Sequence, residues 1–142
     1  MKTAGYKFLG HSADILVLAW GKTFLSALRQ LFYAYREILI SKNKFKRVEK
    51  NKLVIIEKAS EKAELVFNFF SSLIAISEIK QAVPIGIKFE KLTFKENQFM
   101  LKAIVFLDKK IKQKDSIKAI TYHNLEVKET NSLVKIKVIF DV

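Results

Sequence analysis

Two aspartates carry the clearest chemical content in this sequence. Asp14 opens a strongly apolar run at residues 15–20, and Asp141 follows Phe140 at the close of another. Removing a lone carboxylate from water costs roughly several kcal/mol unless a cation or hydrogen bonds compensate. Strand alternation turns Asp141 away from Phe140, to the side shared with Lys137 and Ile139. Val142, the next residue, adds its own carboxylate. If the two segments meet, Asp14, Asp141 and Val142 form an oxygen-rich set suited to a hard divalent cation, calcium first, magnesium or another next. The competing reading pairs Asp141 with Lys137 or leaves it to water.

Other chemistries find less support. The two histidines, His11 and His123, are distant in sequence and there is no Cys, so a zinc site lacks ligands. Each His reads more readily as a hydrogen-bonded structural residue. Ser12 stands beside His11, but no Gly-x-Ser-x-Gly elbow accompanies it. Gly21-Lys22-Thr23 resembles the end of a phosphate loop, yet the Gly required five residues before Gly21 is Leu16. A turn followed by a helix cap explains those three residues. A metal-dependent hydrolase built on Asp14 and Asp141 lacks an identifiable general base.

The elements that must position these residues follow from composition and periodicity. The 142 residues are 50% hydrophobic and include 12 Phe, enough for one sizeable core and a single domain, 1–142. The absence of Cys excludes disulfides and thiolate metal sites, in keeping with a reducing cytoplasm. No uncharged apolar run reaches membrane-spanning length, and Asp14 interrupts any signal-peptide pattern, so a cytoplasmic location without a membrane partner is expected.

The net charge of +12 favours polyanionic partners such as RNA. Specific phosphate and base contacts favour Arg, however, and only Arg29, Arg36 and Arg47 are present. Lys-rich surfaces also occur in heat-adapted proteins. The loop at 108–114, with Lys109, Lys110 and Lys112, is the candidate Lys-rich contact for RNA.

In chain order, residues 6–9 predict a short strand and 10–13 a turn. Residues 14–20 predict a central strand, apolar on both faces. Thr23 is placed to cap a helix at about 24–40, where Phe24, Leu28, Leu31, Tyr35 and Ile38 recur at helical spacing. A charged loop leads to a strand at 53–57. Ser60 is placed to cap a second helix at about 61–79. Strands follow at 85–94, with a bulge near Lys91, and at 99–107 after a hairpin turn at 96–98. The last strands are expected at 117–127 and 133–140. This order predicts an α+β fold of two layers, two helices packed on one face of a mixed, largely antiparallel sheet.

With these residues in place, the sequence resembles the archease family. The resemblance rests on Tyr6-Lys7-Phe8-Leu9-Gly10-His11-Ser12-Ala13-Asp14-Ile15 and on Gly21-Lys22-Thr23 opening a helix. It continues in Ile117-Lys118-Ala119-Ile120-Thr121-Tyr122-His123-Asn124-Leu125-Glu126-Val127 and the closing Phe140-Asp141-Val142. Each motif alone is weak, whereas four in this order are fairly specific.

The resemblance implies a cytoplasmic, non-enzymatic accessory protein of the GTP-dependent RNA ligase that seals tRNA exon halves. Such proteins help the ligase become guanylylated and turn over repeatedly. It also implies that Asp14, Asp141 and Val142 form a divalent-cation site, and that Lys118 matches a family lysine. His11, Lys118 and His123 are candidates for supporting the site or meeting the partner. The sequence departs from the family pattern at Ser12, where Thr is usual, and at Asn68, Ser71, Ser72 and Ser116. Many relatives are acidic, whereas this chain is basic. The alternative function is a basic RNA-binding module acting in RNA processing without a ligase.

Overall fold

The computed structural model describes residues 3–10, 14–40, 51–109, 111 and 113–142. Strand β1 (Gly5–Phe8) leads to β2 (Asp14–Gly21), helix α1 (Phe24–Leu39), β3 (Lys52–Ala59) and helix α2 (Lys62–Lys80). Strands β4 (Val83–Lys95), β5 (Gln98–Asp108), β6 (Ala119–Glu129) and β7 (Val134–Asp141) complete the order. The fold class is α+β, as expected. Its strands form two sheets instead of the single one expected, ordered β1-β2-β7-β6 and β3-β5-β4. Every strand pair described is antiparallel.

The two helices tie the sheets together. Helix α1 packs on β1, β2 and β7 of one sheet and touches β4 of the other; α2 packs on β3, β4 and β5 and on β6. This explains why α2 carries so little polar surface. Leu65, Val66, Phe69, Phe70, Leu73 and Ile74 are buried, and Ser77, also buried, donates to the carbonyl of Ala82. Arg36 of α1 crosses to the second sheet, donating from Nη1 to the Ile85 carbonyl at 2.9 Å. Tyr6 of β1 donates to Glu37 Oε1 at 2.7 Å, and burial, aided by that bond, pushes its phenol up to about 12.

The turn from β2 into α1 is built as the sequence predicts. A Cβ on Gly21 would lie 2.5 Å from Ser26 Oγ and 2.8 Å from the Ala27 nitrogen, so the helix can start here only on glycine. The Thr23 hydroxyl accepts from the Ser26 N–H at 3.1 Å. Thr23→Ala is expected to lower stability by about 1 kcal/mol, read by chemical denaturation; an unchanged midpoint would show that the cap contributes nothing. The second cap differs from expectation. Helix α2 starts one residue later, with Glu61 rather than Ser60 at the cap and no side-chain capping bond. Glu64 in the first turn interacts favourably with the helix dipole there.

The bulge near Lys91 is present as a register shift between Phe89 and Lys91. The hairpin turn places Glu96 and Asn97 at positive φ, 53° and 60°. Among the described residues, no helix is long and apolar enough to cross a membrane.

Candidate functional site

The site begins with register. Asp14 is the direct partner of Asp141 across β2 and β7, and Ile15 is the partner of Phe140. On its other side Asp141 pairs with Ala119 of β6, and the Lys118 N–H donates to the Asp141 carbonyl at 2.8 Å. Direct partners in an antiparallel ladder have Cα atoms roughly 4.5–5.5 Å apart and side chains on the same face. The segments that carry the two aspartates therefore meet, and the aspartates stand side by side.

Alternation decides which face they share. Val17, Ala19, Ile136, Val138 and Phe140 are buried, which assigns them the helix-covered face. Asp141 takes the opposite face, with Lys137 and Ile139. Asp14 is exposed, while Asp141 and Val142 are half-buried.

Two like charges directly opposite one another destabilise a strand pair by about 0.2–1 kcal/mol. Among the described residues no cationic side chain pairs with either aspartate. Lys137, the competing partner for Asp141, instead approaches Glu126 at 3.8 Å, and Lys128 meets the same glutamate at 3.4 Å. The row is thus an anionic pair that a cation would relieve.

The two Asp side chains are hard oxygen donors, which suit calcium or magnesium rather than a thiolate-binding metal. They leave much of a calcium coordination sphere to water or to a partner. Among the described residues no three His, Cys, Asp or Glu side chains gather as a metal site.

The remaining sequence candidates separate. His11 lies outside the described residues. His123 is exposed in the irregular part of β6, where residues 122–125 interrupt the pairing between Thr121 and Glu126. It is four residues beyond Ala119, well along the strand from the aspartate row. The Asn124 backbone is left-handed, φ 64°, and Tyr122 lays its ring edge-on to Phe67 of α2, centroids 5.3 Å apart.

Lys118 reaches the row through its backbone N–H and also lines a cleft of about 480 Å³ with Tyr35, Glu78, Gln81 and Ser116. Sequence reading did not find this cleft. Its walls come from both helix ends and from the segment before β6, and no local spacing joins them.

Asp14→Asn should separate repulsion from cation binding. In the absence of divalent ions, stability is expected to rise by up to about 1 kcal/mol as the facing charges are relieved. Calcium should stabilise the variant less than the parent, because the linked stabilisation follows affinity. Thermal melts with and without calcium measure both, and equal calcium shifts in the two proteins would remove Asp14 as a ligand.

Comparison with known proteins agrees with the motif order. The Archease protein family (MTH1598/TM1083) matches residues 6–142. Protein archease of Methanosarcina mazei is 25% identical over 141 residues, covering 96% of this chain and 95% of that protein. Protein archease of Thermoplasma acidophilum is 26% identical over 144 residues, covering 99% and 96%. The solution structure of Methanobacterium thermoautotrophicum protein 1598 shares the fold at a TM-score of 0.80, with 19% identity over 97% of this chain and 99% of that one. The crystal structure of TM1083 from Thermotoga maritima, described as an archease and possible chaperone, has a TM-score of 0.58, with 21% identity over 96% of both chains. The chain belongs to the archease family.

Proposed function

We propose that this archease is a non-enzymatic activator of the GTP-dependent RNA ligase of tRNA splicing, promoting guanylylation of the ligase histidine and repeated turnover. The observation that carries the reading is the Asp14–Asp141 pair: the family-like motifs at the two ends of the chain form one row. Family membership supports an accessory role, and the description of the Thermotoga maritima relative as a possible chaperone is of the same general kind.

Asp14, Asp141 and the Val142 carboxylate would hold the divalent cation, calcium in the first instance. A bound cation neutralises the facing carboxylates and offers positive charge toward a partner. The chain's own residues supply the rest. The β2–β7 ladder keeps the carboxylates adjacent, and the Lys118 N–H holds the Asp141 main chain in place. The exposure of Asp14 leaves the row accessible to a ligase active site. An activator needs no chemistry of its own; binding the guanylylation-competent ligase better than the idle one is sufficient.

The test is guanylylation of purified ligase with GTP and divalent cation, in the absence of RNA, with and without this protein. Faster guanylylation and recovery over several turnovers are expected. An unchanged rate across saturating concentrations of the protein would overturn the reading.

A further inference from the structure

Six of the lysines of this basic chain share one face of the β3-β5-β4 sheet. Register gives the arrangement. Successive rows across the sheet read Lys52–Phe106–Gly86, Val54–Ile104–Lys88, Ile56–Lys102–Lys91 and Lys58–Met100–Thr93, followed by Gln98–Lys95. The opposite face carries Ile55, Ala59, Leu101, Ala103 and Val105, all buried.

On the lysine face Lys52, Lys58, Lys88, Lys91 and Lys95 are exposed and Lys102 is half-buried. Val54 and Ile56 are 49% and 55% exposed, an unusual state for branched apolar side chains in the middle of a strand. Among the described residues no ion pair reaches any of the six lysines. Glu90 falls in the bulge between Phe89 and Lys91, and Asp108, paired with Val83, closes this face at the end beyond the Lys52 row.

Lys91 and Lys102 are cross-strand neighbours, about 4.8 Å apart along the backbone, and the other lysines occupy rows on either side of them at steps of about 6.7 Å per two residues. A lattice of point charges, interleaved with exposed apolar side chains, matches a flexible polyanion whose charges repeat and whose bases present flat apolar faces.

The described arginines are engaged elsewhere. Arg29 lies over the Phe89 ring at 5.2 Å, and Arg36 bonds Ile85. Lysine binds phosphate as a point charge, whereas planar two-point recognition belongs to arginine. We infer that the outer face of the β3-β5-β4 sheet binds single-stranded RNA through its phosphates, with little regard to sequence. The aspartate row is on the other sheet, so RNA and a divalent cation have separate sites. This inference does not depend on the ligase reading.

The experiment is fluorescence anisotropy of a labelled oligouridylate without ligase, over a range of salt. Six lysine contacts to a single strand predict a slope of about −4 in log affinity against log salt, so a fourfold rise in salt weakens binding on the order of 10²-fold. Lys88→Ser, Lys91→Ser and Lys102→Ser together should reduce that slope by about 2 in magnitude and weaken low-salt binding at least about tenfold. Lys109→Ser with Lys114→Ser, in the loop before β6, should change little. Should the triple variant unfold, the exposed single changes Lys88→Ser and Lys95→Ser should each reduce the slope by about 0.7.

No RNA affinity, an unchanged slope in the sheet variants, or an equal loss in the loop variant would overturn the assignment. So would competition by polyglutamate as strong as that by RNA, which would make the face a dock for acidic protein.

Discussion

Asp141→Ala is expected to reduce guanylylation of the ligase to the rate of ligase alone, even with GTP and divalent cation in excess and no RNA present. The expectation rests on the separation of the residue's two roles. Its main-chain carbonyl accepts from Lys118, and its backbone pairs with Asp14 and Ala119; alanine keeps all of these. Only the carboxylate is lost, and with it half of the side-chain acid in the row. The variant should therefore fold, melt at or somewhat above the parent without metal as the facing charges are relieved, and gain less stability from calcium.

The contrast with the lysine face makes the result interpretable. The triple change at Lys88, Lys91 and Lys102 should leave RNA-free stimulation intact, or reduce it only in a way that salt also reduces, because exposed charges chiefly steer encounter. Normal stimulation by Asp141→Ala would sink the activator mechanism. A dependence of every effect on RNA would favour the RNA-binding module in its place.

Phe140→Ala is expected to have the largest effect on stability, a loss of about 3–5 kcal/mol. Phe140 is fully buried, with its ring 5.7 Å from that of Tyr35 on α1 and 5.6 Å from that of Phe70 on α2. It is thus the point where both helices close on the central strand pair. Since domains are stable by only about 5–15 kcal/mol, this single truncation should remove a large share of the total. Phe140→Leu keeps more of the volume and should cost less.

If the aspartate row holds calcium as proposed, the ion should offset part of the loss by binding only the folded state. Denaturation midpoints with and without calcium read both effects. A loss below about 1 kcal/mol for the alanine variant would contradict the packing of this ring between the helices.

Much of this molecule is legible in local pattern. Phe24, Leu28, Leu31, Tyr35 and Ile38 recur at the period of a helix and prove to be the buried stripe of α1. The phase slip after Phe89 marks a real bulge, and Glu96-Asn97 a real turn. The two aspartates were conspicuous because each adjoins a long apolar run, and the family-like motifs around them predicted that they meet. Such features are carried by residues within a few positions of one another, where side-chain periodicity and backbone preference act directly.

The tertiary structure decided what depends on distant segments. Strand pairing is non-local, so alternation could say that Asp141 turns from Phe140 but not that Asp14 is its direct partner, or that Lys137 turns to Glu126. Nor could it divide seven strands between two sheets and place α2 against both, which is why that helix is apolar on more than one side. Charge shows the same limit. Counting lysines led to the loop at 108–114, where four crowd together in sequence. The array on the β3-β5-β4 sheet joins the β4–β5 hairpin to β3, a strand more than twenty residues earlier in the chain, and only cross-strand register brings their lysines onto one face.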